Sequence, residues 1–218
     1  MKLLRRLQGM VERTYDVVNP HQVSDYLITC PELAISLGLG EAAAASGEQV
    51  MVAGDSEQVD LAVFLDGDIL DKLRAENPIR DLHDGNLDDF WTALEGVSHF
   101  VYLVWSARMG RQVTRLELEL QAEVDKFVLT AMLVSAQRGG PVPAELHRWL
   151  FDLPRIDAKL AVEAAERYAA ANRYAGRYCQ TLARRYLKGT DSGSMMPELR
   201  RFYRLTQRGK ISRIETTA

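Results

Sequence analysis

"TRLELELQAEVDK", residues 114–126, supports two readings, and the choice between them decides the fold. Its leucines alternate with glutamates at a period of two, the pattern of a half-buried strand. Yet Leu, Glu, Gln, Ala and Lys are all good helix formers, and the opening "TRLE" is a capping box. In that motif Thr114 accepts a hydrogen bond from the Glu117 amide while the Glu117 side chain reaches back. We read a helix from Thr114 to about Gln137, ended by "RGGPVP" at 138–143.

Immediately upstream, "MGRQV" at 109–113 is a short connector to a second helix, from Leu87 to about Arg108, with Asn86 as its N-cap. Two long helices joined this way run antiparallel, so residues whose numbers sum to about 222 lie at one height. That arithmetic sets Glu95 against Lys126, His99 against Glu123 and Tyr102 against Glu119. On each helix the three positions share a face by i, i+3 and i+4 spacing. Gly96 beside them admits a close neighbour, at a cost of roughly 1 kcal/mol in helix propensity.

The remaining segments are arranged around this pair. "KLLRRLQGMV" at 2–11 has helical apolar spacing at Leu3, Leu4, Leu7, Met10 and Val11. "HQVSDYLIT" at 21–29 is ambiguous between helix and strand, and "GLGEAAAASGEQ" at 38–49 reads as a helix remnant or a connector. Two alternating runs, Val50–Ala53 and Val59–Leu65, form a β-hairpin that needs helices to cover it. "GDILDKLRAENP" is a short helix stopped by Pro78, and "AELHRWLF" is another. A long helix spans 154–188, with Ala and Gly positions that allow close packing. "GTDSGS" is a loop, "PELRRFYRL" a last short helix, and "TQRGKISRIETTA" a strand or an irregular tail. The expected fold is α+β and predominantly helical: a small antiparallel hairpin packed on a helical bundle with a long antiparallel helix pair. It divides into an N-terminal α/β portion, 1–85, carrying the hairpin and an acidic segment, and a helical bundle, 86–218, with a basic end, together one continuous fold.

The 218 residues are 47% apolar and 26% charged, ordinary globular values that argue against long disorder and against a membrane protein. The longest strongly apolar runs, such as "FVYLVW" at 100–105, are far short of the ~20 residues a membrane span needs. The start has no continuous apolar region or small-residue cleavage site, so no secretory signal is expected. Cys30 and Cys179 have no metal spacing and read as buried thiols, which suits the cytoplasm. Charge is polarised: 55–95 holds twelve acidic and three basic residues (net −9), and 177–218 holds ten basic and three acidic (net +7). The plain reading is that these parts pack together.

Diagnostic motifs are missing. There is no Gly-x-Ser-x-Gly, no His-Glu-x-x-His, no pair of Glu-x-x-His helices and no phosphate loop. His21, His83 and His147 are scattered and read as surface residues. The best functional reading is therefore a soluble cytoplasmic interaction protein, an adaptor or assembly subunit whose partner is another protein. On that reading the polar layer is a seam that fixes helix register. A first alternative is a metal-dependent, hydrolase-like enzyme with catalytic residues Glu95, His99, Glu123 and Lys126. Glu95, His99, Glu119 and Glu123 would hold a divalent zinc, iron or manganese ion, although Lys126 in the same layer argues against a metal, since a cation beside a cation is unfavourable. The other alternative is an RNA- or DNA-binding module. It would use Arg173, Arg177, Arg184, Arg185, Arg200, Arg201 and Arg204, interleaved with tyrosines that could stack on bases.

Overall fold

The computed structural model describes residues 2–39, 47–54, 59–140, 142–143, 145–152, 162–187 and 195–217. In chain order it has α1 (Lys2–Tyr15), a 3-10 turn (Val23–Asp25), β1 (Leu27–Ile28), α2 (Pro31–Ser36), β2 (Glu48–Gly54), β3 (Val59–Leu65) and α3 (Gly67–Ala75). Then follow α4 (Leu87–Arg108), α5 (Arg115–Arg138), α6 (Leu146–Phe151), α7 (Val162–Leu182, continued by a π-helical turn Ala183–Leu187), α8 (Met195–Tyr203) and α9 (Gln207–Thr217). The α+β, mainly helical reading holds, with a small sheet packed on a helical bundle. Residues 40–46, the residues 55–58 between the two expected strands, 154–161 and 188 of the expected long helix, and all of "GTDSGS" at 189–194 lie outside the described residues.

The opening stretch is helical. Thr114 caps α5, its Oγ1 accepting from the Glu117 amide at 3.1 Å, and Gly139 closes the helix in the left-handed conformation (φ 61°). The other half of the capping box does not form. Glu117 instead accepts from Tyr102 Oη at 2.5 Å, from Arg111 at 2.5 Å and from the Gln207 amide at 3.0 Å. Asn86 sits at the head of α4, but its side chain turns to the preceding loop, accepting from the His83 amide and donating to the carbonyls of Glu76 and Asp81.

The period-two pattern has a different cause from a strand. At 3.6 residues per turn, Glu117, Gln121 and Asp125 fall along one side of α5, and Glu119, Glu123 and Lys126 along nearly the opposite side. Leu120, Val124, Phe127, Leu129 and Ala131 are buried between them. α5 is thus enclosed on most sides and carries two polar stripes into the interior.

The sheet has the order β1-β3-β2, with β2 antiparallel and β1 parallel to β3. The ambiguous "HQVSDYLIT" resolves into the 3-10 turn and the short strand β1. β3 is covered on both faces: Val63 and Leu65 join the main core, and Phe64 packs with Ala34 and Leu39 under α2. In the antiparallel register Glu48 lies opposite Leu65, and Val50 opposite Val63, so Glu48 is directed at the bundle.

One apolar cluster runs from Leu3 in α1 to Ile214 in α9. The apolar face of α1 is buried there, with Leu7 and Val11 fully enclosed. Gly176 of α7 lies where a Cβ would meet Phe151 at 3.2 Å, the close approach that the small residues foretold. The tail is a helix, neither strand nor irregular. Its buried stripe is Lys210 and Ile214, four residues apart, and a lysine in that role hid the helical period. Cys179 is buried, but Cys30 is exposed and donates its thiol to Glu32 at 2.8 Å, which corrects the expectation for that residue. No helix among the described residues is long and apolar enough to cross a membrane.

Candidate metal centre

The layer between α4 and α5 forms, with different partners from those the helix register suggested. Glu95 meets Lys126 as expected, at 3.1 Å. Lys126 also holds Glu123 at 2.6 Å, one turn back on its own helix, so Glu123 is drawn away from His99. Tyr102 bonds Glu117 in place of Glu119, because Tyr102 faces the other polar stripe of α5. His99 turns Nδ1 to Glu48 at 3.3 Å and Nε2 towards Glu119 at 3.6 Å.

Glu48 is the residue that the helix-pair reading missed. It enters from β2 across the face of α4, where Gly96 makes room. A Cβ at position 96 would lie 3.0 Å from Glu48 Cγ and 3.2 Å from Leu65 Cδ2. The available signal was its parity: position 48 is in phase with Val50 on the core-facing side of the strand, where an apolar residue is expected.

The resulting cluster is tight. Ligand atoms of Glu48, Glu95 and His99 all lie within 4.8 Å of one another. His99 is 4% exposed, and its buried Nε2 makes no hydrogen bond. Four carboxylates (Glu48, Glu95, Glu119 and Glu123) face Lys126 and His99, so negative charge is in excess unless protons or another cation are bound.

The ionisation equilibria respond accordingly. Burial alone would depress His99, but the charge and hydrogen bond of Glu48, then Glu119 and Glu95, raise its pKa to about 9. Burial lifts Glu119 to about 7, helped by Glu95 and Glu48 and opposed by His99. Glu48 and Glu123 are also raised by burial, whereas Glu95 is lowered because Lys126 and His99 outweigh its burial. Lys126 resists burial through Glu123 and Glu95 and stays charged. From α7, Arg167 favours the ionised form of Glu119, and the acidic cluster raises Tyr168 beyond the effect of its burial.

The opposite stripe of α5 builds a second buried polar cluster. Asp125 accepts from Ser98 at 2.5 Å, from Gln121 at 2.7 Å and from Tyr15 Oη. Gln121 in turn accepts from Lys210, which is fully buried among the rings of Tyr102, Phe202 and Tyr203. Asp125, Gln121, Ser98, Tyr15 and Lys210 each have a partner in this cluster, whereas the buried hydroxyl of Tyr203 has none.

The arginines of the nucleic-acid reading are mostly exposed: Arg173, Arg177, Arg184, Arg185, Arg201 and Arg204, with Arg200 half-buried. The aromatic residues interleaved with them point inward to a large extent. Tyr178 stacks on Phe202 at 3.9 Å, and Tyr203 on Tyr15 at 4.0 Å, all four buried. Arg200 faces Asp16, Arg204 donates to the carbonyls of Tyr15 and Asp16, and Arg213 pairs with Glu198 at 2.7 Å. Of the scattered histidines, His147 is half-buried and lies 2.9 Å from the Gly176 carbonyl.

No family model, no curated protein and no solved structure matches this chain.

Proposed function

We propose that this protein is a metal-dependent enzyme of the hydrolytic class, its divalent ion held by Glu48, Glu95 and His99 between the sheet and the α4–α5 pair. The observation that carries this reading is the convergence of those three ligand atoms within 4.8 Å, with His99 buried and both glutamates half-buried. Its supporting feature is the way His99 spans two carboxylates, with Nδ1 facing Glu48 at 3.3 Å and Nε2 facing Glu119 at 3.6 Å. With Nδ1 facing the ion, Nε2–H points at Glu119, the arrangement by which a carboxylate orients a metal-bound imidazole. Two carboxylates and one imidazole suit zinc, iron or manganese. Three protein ligands leave a position for water, which such an ion makes a nucleophile near neutral pH.

The adaptor reading rested on the lack of a recognisable site, and this cluster supplies a candidate. The test is elemental analysis of protein purified without chelator, then titration of stripped protein with Zn2+, Mn2+ and Fe2+. The same is done for Glu48→Gln and His99→Ala, with circular dichroism to check folding. We expect about one ion per parent chain and none in the folded variants. A parent that takes up none of the three ions would sink the proposal.

A further inference from the structure

We infer that Lys126 occupies the place of a second cation in a carboxylate-bridged pair, so that the centre admits one metal ion and no more. This rests on the metal reading above. Two-metal hydrolytic sites hold their ions roughly 3.5–4 Å apart and share carboxylates between them. Glu95 is placed to be such a shared group. Its carboxylate belongs to the cluster with Glu48 and His99, and its Oε2 also lies 3.1 Å from Lys126 Nζ. The same ammonium also holds Glu123 Oε1 at 2.6 Å, a ligand type with no role in the first cation position. The layer therefore offers two adjacent cation positions joined by one carboxylate. One is lined by Glu48, Glu95 and His99, and the other, between Glu95 and Glu123, is filled by an ammonium.

The filling is built into the fold. Lys126 is 9% exposed, and its side chain runs from the buried face of α5, so the charge cannot swing into solvent without leaving two half-buried carboxylates unpaired. An ammonium is a compact point charge with three donors, and two of these are already directed at oxygens that could bind a metal. Stoichiometry is thus set by a residue that binds no ion. Removing it leaves a two-carboxylate position beside an occupied one, which a second divalent ion can neutralise.

The experiment measures Mn2+ uptake and electron paramagnetic resonance in the stripped parent, Lys126→Ala and Lys126→Arg. The inference expects one Mn2+ per chain with an isolated-ion spectrum in the parent and in Lys126→Arg. It expects two per chain, with the loss of signal typical of a coupled pair, in Lys126→Ala. One ion in both parent and folded Lys126→Ala would overturn the inference and leave the metal reading standing. Two coupled ions in the parent would do the same, and that result needs no variant to fold. No uptake by the parent would remove both.

Discussion

Burial depresses both His99 and Lys210, but their surroundings carry the net shifts in opposite directions. His99 is surrounded by carboxylates, which outweigh its burial and lift its pKa from 6.5 to about 9. The metal-free folded state therefore holds a proton that the unfolded chain releases. Its contribution to stability is complete below pH 6.5 and is lost as the pH rises through about 9; at roughly 1.4 kcal/mol per pKa unit it amounts to ~3 kcal/mol. Lys210 is buried among aromatic rings, with Glu117 and Asp125 too weak to compensate, and its pKa drops from 10.5 to about 7. Here the unfolded chain binds the extra proton between pH 7 and 10.5, so stability climbs with pH across that window. The two slopes oppose each other between pH 7 and 9. We expect urea unfolding of the stripped parent to vary little over that range. Lys210→Met should lose stability as pH rises, and His99→Gln should gain it. Equal slopes in all three proteins would show that neither group titrates as argued.

At the scale of elements, the α4–α5 pair was legible because its evidence is local. The capping box, the terminal glycine and the i, i+4 spacings each lie within a few turns, and the Glu95–Lys126 contact followed from them. What escaped was the consequence of enclosing α5 on nearly every side. Two polar stripes on opposite sides of a helix produce the same alternation as a strand, and sequence order does not say which stripe Tyr102 faces. Glu48 escaped because it reaches His99 from 51 residues away, on a strand whose placement depends on tertiary packing. Gly96 is the hinge of that approach and gives a specific test. An alanine there improves helix propensity by roughly 1 kcal/mol. Its Cβ would also stand 3.0 Å from Glu48 Cγ and 3.2 Å from Leu65 Cδ2, so the Glu48 side chain must give by a few tenths of an ångström where it approaches His99. Gly96→Ala should keep its helix content in circular dichroism and weaken Mn2+ binding by tenfold or more. Binding unchanged from the parent would mean that Glu48 does not contribute a ligand.

Across the whole molecule, α5 joins two enclosed polar clusters whose other members come from distant parts of the chain. Tyr15 meets Asp125 across 110 residues, Lys210 meets Gln121 across 89, and Glu48 meets His99 across 51. The Glu48–His99 contact forms only when the sheet packs on α4, so a ligand that needs that contact binds the folded state alone. Its binding energy is then folding energy: at a free ion concentration 100 times the dissociation constant the gain is about 2.7 kcal/mol. For a chain of this size that corresponds to a rise in melting temperature of roughly 5–10 °C. The two clusters should separate cleanly under this test. Asp125→Asn disturbs the Tyr15–Ser98–Gln121 network and should melt earlier than the parent, yet it should keep the full rise on adding Mn2+. Glu48→Gln loses one charge from the other cluster and should show almost none. If Asp125→Asn abolished the rise and Glu48→Gln preserved it, the ion would be bound on the other side of α5, and the site assigned here would be wrong.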